Sequence, residues 1–171
     1  MFKNRGFTLI ELMVVIAIIG FLASVVLASL NASRTKGENA ATVRQVREYI
    51  TAINLAYGPN GNEFPTYGGA LHGCLVVTNT SAGDRCYFRT LVLSYPETQR
   101  DIIGQYILLK PFDSPVISST GGQYDSVMYS SDGDTFTLRY PIKGSTDCLI
   151  EEATQFGAAD GNVIVCQYTS R

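Results

Sequence analysis

The feature that most constrains the fold is an uncharged, mostly apolar run near the start of the chain, residues 12–33. As an α-helix these 22 residues would extend about 33 Å, which is enough to cross the hydrocarbon core of a bilayer. Lys3 and Arg5 precede the run and favour a cytoplasmic N-terminus, whereas Arg34 and Lys36 follow it and weaken that preference. The run therefore predicts a membrane-spanning helix whose orientation the charges alone leave open.

One acidic residue, Glu11, lies at the start of this apolar helix. A carboxylate costs roughly 2.5–3.5 kcal/mol at the centre of a membrane helix and less near its end. A cleaved secretory signal is a poor explanation, because the run is long and only Leu27-Ala28-Ser29 approximates a cleavage site. A plain membrane anchor fits the length but leaves Glu11 unexplained, so we interpret Glu11 as a functional residue that needs a partner.

The segment Gly6-Phe7-Thr8-Leu9-Ile10-Glu11 lies between a short basic leader and the apolar run. It resembles the processing and methylation site of type IV prepilins and the related pseudopilins. In that family a prepilin peptidase cuts after the glycine and methylates the new amino terminus. The resemblance implies a leader of residues 1–6, cleavage between Gly6 and Phe7, N-methylation of Phe7, and a role for Glu11 in assembly.

Charge explains the role that the resemblance implies for Glu11. Cleavage would leave an ammonium group on Phe7, and at ~4 Å with an effective dielectric constant near 20 it would attract a carboxylate by about 4 kcal/mol. Pairing between neighbouring subunits would therefore select their register. The family implies a homopolymer built through N-terminal helices, assembled by inner-membrane machinery. Ala28 departs from the many pilins that have proline there, so no proline kink is expected.

The helix is expected to continue beyond the membrane segment as an amphipathic half. Apolar residues recur at spacings of three and four, as in a helix with one buried face: Val43, Val46, Ile50, Ile53 and Tyr57. The breakers Gly58-Pro59-Asn60-Gly61 follow. We therefore predict a helix over 7–57, with a membrane or filament-core half at 7–33 and an amphipathic half at 34–57, followed by a globular head at 58–171.

The head is predicted to be rich in β-structure. Strand candidates are Cys74–Thr78, Tyr124–Ser130, Thr135–Tyr140, Asp147–Ile150 and Val163–Tyr168, with a hairpin turn at Ser131–Asp134 and helical spacing in Glu97–Leu109. The expected fold is α+β and pilin-like, a long helix packed on an antiparallel sheet of three or four strands.

All four cysteines follow the apolar run, and none belongs to a CxxC pair. An even number of widely spaced cysteines behind a membrane segment favours disulfides in an oxidising compartment over four reduced core cysteines. Four cysteines permit three connectivities, and proximity favours Cys74 with Cys86 and Cys148 with Cys166. The second pair resembles the disulfide-bounded C-terminal loop of many type IV pilins.

The sequence offers little for catalysis or cofactor binding. The single histidine, His72, lies in a glycine-rich loop, and the GxSxG, P-loop and HExxH motifs are missing. The adjacent pair Glu151-Glu152 is expected at a solvated strand edge, since adjacent strand residues point to opposite faces. Asp132 and Asp134 offer oxygen ligands for calcium, although a plain hairpin turn explains them better. We expect no enzyme, no catalytic residue and no cofactor.

The formal net charge of −2 and the lack of a lysine and arginine cluster argue against direct nucleic-acid binding. We therefore expect a structural pilin of a type IV pilus-like filament, with roles in adhesion, motility or DNA uptake. A pseudopilin of a type II secretion system is the alternative, and the two expected disulfides favour the pilus. A membrane-anchored extracytoplasmic binding or enzyme domain is the rival from another class; it predicts no processing at Gly6 and no role for Glu11.

Overall fold

The computed structural model describes residues 7–66, 73–75, 85–89, 91–94, 101–109, 112 and 116–170. One long helix, α1 (Leu9–Tyr57), begins the described chain. It ends before Gly58-Pro59, because proline has no amide hydrogen to continue the helix and Gly61 adopts a positive φ of 82°. Contacts within the chain divide it into two units, Met1–Glu38 and Asn39–Arg171.

The first unit is the apolar part of α1. Its described large apolar side chains are all exposed, from 92% at Phe7 to 50% at Val15. The helix is long and apolar enough to cross a membrane. An apolar helix exposed on all sides requires lipid or other apolar helices around it.

The second unit begins with the amphipathic part of α1, whose apolar stripe is confirmed. Val43, Val46 and Ile53 are buried in the main core, and Ile50 packs against it. Tyr57 is 38% exposed and contacts Phe64, with 4.8 Å between the ring centroids. Tyr49 is also buried, which the sequence pattern did not include.

In the described part of this unit, nine strands form two antiparallel sheets. In chain order they are β1 (Gly73–Cys74), β2 (Arg85–Arg89), β3 (Leu91–Ser94), β4 (Val116–Ile117), β5 (Gln123–Tyr124), β6 (Met128–Ser131), β7 (Phe136–Lys143), β8 (Thr154–Gln155) and β9 (Val163–Thr169). One sheet has the order β1-β6-β7-β9-β8 and the other β3-β2-β5-β4. The predicted α+β, pilin-like fold is confirmed, although the expected sheet of three or four strands is two sheets of five and four.

The strand β7 is the centre of the core. It pairs with β6 on one side and β9 on the other. Every second side chain of β7 lies in the core cluster that also contains the buried face of the amphipathic part of α1: Phe136, Leu138, Tyr140 and Ile142. Asn39 fixes the helix to the end of this strand: its Nδ2 donates to the Lys143 carbonyl at 2.8 Å, and its Oδ1 accepts from the Lys143 amide at 3.1 Å. Both backbone groups at the end of β7 are thereby satisfied.

The predicted strand at Asp147–Ile150 is wrong. The Asp147 amide donates to Ser145 Oγ at 3.0 Å, which makes a local turn, and Leu149 has a φ of 61°, which a strand cannot accommodate. Glu151 and Glu152 likewise lie in an exposed turn and not at a strand edge.

Other predicted elements are shorter than expected. The candidate Tyr124–Ser130 is divided between β5 and β6, and Glu97–Leu109 is helical only at residues 101–103 within its described part. From Cys74–Thr78 only Cys74 belongs to a strand, and residues 76–78 lie outside the described residues. The turn between β6 and β7 and the strand β9 lie where the sequence indicates.

Candidate assembly site at the start of the helix

The first turn of α1 is closed by a reciprocal pair, Thr8 and Glu11. The Thr8 amide and the Thr8 hydroxyl both donate to Glu11 Oε2, each at 2.7 Å. In return the Glu11 amide donates to Thr8 Oγ1 at 3.3 Å. Thr8 precedes the first helical residue, and the Leu12 amide donates to its carbonyl, so Thr8 is the N-cap.

This arrangement is a capping box, in which a threonine and the glutamate three residues later satisfy each other's backbone amides. A carboxylate in the first turn is also favoured by the positive end of the helix dipole. Sequence reasoning did not single out Thr8, although the spacing Thr-x-x-Glu before an apolar run was the signal that could have found it. Glu11 therefore has a local structural role in addition to any role in assembly.

The capping box leaves part of Glu11 available for a partner. Both hydrogen bonds that its carboxylate accepts end on Oε2. Among the described residues, the ion pairs are Arg34–Glu38 and Arg44–Glu48, so no basic side chain of this part of the chain pairs with Glu11. Phe7 immediately precedes the cap and is 92% exposed, while Gly6 lies outside the described residues. The site can therefore accept a cation from outside its own chain.

Asp132 is used to build the turn between β6 and β7. Its Oδ1 accepts from the Asp134 amide at 3.1 Å and from the Thr135 amide at 2.7 Å. These hydrogen bonds, the one from Thr135 first, hold the pKa of Asp132 below its usual value. Gly133, with a φ of 98°, permits the tight turn. Asp132 thus stabilises the hairpin turn, and the described residues contain no group of three or more His, Cys, Asp or Glu side chains that could hold a metal ion.

A disulfide joins Cys148 to Cys166, with 5.5 Å between their Cα atoms. It connects the turn after β7 to β9, and the Tyr140 hydroxyl donates to the Cys148 carbonyl at 3.0 Å. Cys74 is also disulfide-bonded, whereas the side chain of Cys86 lies outside the described part of the chain. His72 lies outside it too.

Comparisons with known proteins agree with this geometry. A family model described as the prokaryotic N-terminal methylation motif matches residues 1–27. Type II secretion system core protein G of Aeromonas hydrophila is 31% identical over 148 residues, which cover 85% of this chain and 89% of that protein. No solved structure matches the chain significantly.

Two further relatives match only the N-terminal part. The type II secretion system core protein G of Escherichia coli (strain K12) is 39% identical over 64 residues, which cover 37% of this chain and 43% of that protein. That of Pectobacterium carotovorum subsp. carotovorum is 35% identical over 65 residues, 38% of this chain and 41% of that protein. The chain thus spans about two fifths of the length of these two relatives and most of the Aeromonas protein. With the capped apolar helix and the antiparallel head, these matches show that the chain belongs to the type IV pilin-like pseudopilin family.

Proposed function

We propose that this protein is the filament-forming pseudopilin of a type II secretion system. A prepilin peptidase cuts the membrane precursor after Gly6 and methylates Phe7, and inner-membrane machinery then stacks the subunits into a short periplasmic filament. The methylation motif and the relatives named as secretion core proteins support this proposal. It is a structural role, and we assign the chain no catalytic step.

The observation that carries the proposal is an exposed apolar helix with one capped carboxylate at its start. Burying a single large apolar side chain stabilises by about 1.5–3 kcal/mol, so the exposed side chains between Phe7 and Leu30 represent tens of kcal/mol. Lipid can satisfy them in the precursor, but lipid offers no partner for the Glu11 carboxylate. A second copy supplies both an apolar helix and a terminal ammonium, so polymerisation explains the two features together.

A surface pilus with roles in adhesion, motility or DNA uptake is the second candidate. The disulfide-bonded head favours it, because cross-links stabilise a domain exposed outside the cell. The relatives' names favour the secretion system. A membrane-anchored binding domain that never polymerises is the third candidate, and it would leave Glu11 with its capping role alone.

The test compares the native host with a strain that lacks this gene. We expect the deletion to abolish secretion of folded exoproteins into the medium and to leave surface pili and twitching intact. Loss of pili with normal secretion would favour the pilus candidate, and loss of neither would reject both filament functions. Intact-mass analysis of the complemented strain should give a chain that begins at N-methylated Phe7, and Gly6→Ala should block this cleavage. A retained Met1 or a cut near Ala28 would contradict the proposed processing.

A further inference from the structure

In the turn that follows the disulfide cysteine Cys148, some side chains are buried in the core and others are exposed to solvent. Cys148 and Ile150 are buried and Ala153 packs against the core cluster. Between and after these anchors lie exposed side chains, and we call four of them the disulfide-loop face: Leu149, Glu151, Glu152 and Phe156. Because this segment is anchored to the core and still exposes large side chains, it has the properties of a contact surface.

Leu149 is the most unusual residue of this face. Its φ of 61° lies in the left-handed region, which is unfavourable for a residue with a branched side chain, and the side chain is 47% exposed. The fold therefore retains a strained backbone that leaves an apolar side chain in solvent. Strain of this kind clusters at functional positions.

Phe156 forms the other apolar end of the face. The Arg139 guanidinium lies 3.6 Å from the centroid of its ring, and Arg139 Nε donates to Gln167 Oε1 at 2.8 Å. The ring is therefore held against the sheet, yet it remains 43% exposed. Like Leu149, it offers a positioned apolar surface.

The disulfide-loop face carries two adjacent carboxylates, while the Arg139 guanidinium lies at its other end against Phe156. Glu151 and Glu152 are exposed, and neither forms an ion pair with the described residues. A partner for this face should therefore combine an apolar side chain with a positive charge.

One side of α1 has this complementary chemistry. Arg47, Thr51 and Leu55 follow one another at intervals of four residues, and all three are exposed; we call them the helix face. Leu55 is 56% exposed, and Arg47 forms no ion pair with the described residues, whereas Arg44 is paired with Glu48 at 2.9 Å. The helix face thus offers an unpaired arginine and an uncovered leucine.

We propose that the disulfide-loop face of one subunit docks on the helix face of a neighbouring copy of this chain, with Glu151 and Glu152 opposite Arg47. This inference rests on the proposed filament function. The two faces are different surfaces of one protein, so each subunit offers one of each. A contact between different surfaces can repeat from copy to copy, and it generates an open helical filament when its rotation does not close into a ring.

Charge reversal tests the contact in the full-length chain as the only copy in the cell. Arg47→Glu alone, or Glu151→Lys with Glu152→Lys, should lower the yield of sheared filaments roughly tenfold, equivalent to about 1.4 kcal/mol per subunit added. The triple variant should restore the yield. Glu63→Lys, which changes an exposed carboxylate in another loop, is the matched control and should assemble normally. Normal filaments from the reversed variants, or no restoration in the triple variant, would reject the contact.

Cross-linking distinguishes contacts between copies from contacts within one. Arg47 also acts electrostatically on Tyr140 of its own chain. A contact between Arg47 and the loop of the same chain must therefore be distinguished from a contact between two copies. Arg47→Cys combined with Glu152→Cys should give a ladder of disulfide-linked subunits on a non-reducing gel. Linkage only within single chains, or to a protein of different mass, would overturn the proposal. Absence of filaments from the wild-type chain would instead count against the proposed function.

Discussion

Replacing Glu11 by glutamine separates the capping role that the structure shows from the proposed role in assembly. The amide oxygen of glutamine can still accept hydrogen bonds from Thr8, as glutamine does in many capping boxes. The negative charge is lost. Glu11→Gln therefore tests the charge with the first turn of α1 intact, whereas Glu11→Leu removes both the charge and the two hydrogen bonds that Thr8 donates to the carboxylate.

The expected losses follow from the interactions removed. Without the charge, a neighbour's terminal ammonium stays unpaired in an apolar filament core, which costs about 3–5 kcal/mol. That is a factor of roughly 100 to several thousand in the equilibrium for adding a subunit. Thr8→Ala removes only the N-cap, typically about 1 kcal/mol or roughly fivefold. Glu11→Leu should therefore be the most severe change, Glu11→Gln nearly as severe, and Thr8→Ala mild.

Each variant is produced as the only subunit, and filaments sheared from the cells are measured against total mature protein. All variants should be inserted and cut after Gly6, which intact mass verifies. Glu11→Asp keeps the charge but shortens its reach by one methylene, so its yield should be intermediate. Normal filaments from Glu11→Gln would refute the ion pair. Normal filaments from Glu11→Gln together with equal defects in Thr8→Ala and Glu11→Leu would show that Glu11 acts through the cap instead.

Three further predictions concern the head. Replacing both Cys148 and Cys166 by serine should lower the free energy of unfolding by about 3 kcal/mol, because their loop spans 18 residues; denaturant titration of the detergent-solubilised chain measures this, and an unchanged midpoint would contradict it. Asn39→Ala should cost about 1–3 kcal/mol and speed amide exchange at the end of β7, since it removes two hydrogen bonds there; unchanged exchange would refute the clamp. Burial raises the pKa of Tyr129 and Tyr140, so stability should be full below pH ~10 and fall as the pH rises further. Thermal melting of the wild type and of Tyr129→Phe at several pH values checks this. The variant should lose less stability than the wild type between pH 9 and 11.

The fold could be predicted from the sequence where a periodic pattern extends over many residues. Along α1 the apolar run and the stripe of Val43, Val46 and Ile53 predict a helix, because such a helix can bury its apolar face or lie in an apolar surrounding. The hairpin between β6 and β7 followed from Asp132 and Gly133 in the same way. In each case the local sequence is enough to predict the element.

The sequence was misleading where contacts between distant parts of the chain determine the backbone. Residues Asp147–Ile150 include two apolar side chains, yet a bond from the Tyr140 hydroxyl to the Cys148 carbonyl and the disulfide to β9 hold this segment as a turn. The left-handed Leu149 depends on these restraints and has no signature in its own sequence. The disulfide-loop face could therefore not be predicted from the sequence.

The capping role of Glu11 is compatible with its proposed role in assembly because the cap uses one oxygen atom of the carboxylate. Thr8 donates both of its hydrogen bonds to Oε2, and no donor in the described part of the chain reaches Oε1. In the membrane precursor these bonds stabilise the carboxylate before any partner is present, which lowers the cost of placing it at the edge of the apolar core. On assembly, an ammonium from a neighbour can approach Oε1 without breaking the cap. The proposed ion pair would then be added to an ordered first turn, and its free energy would contribute directly to subunit addition.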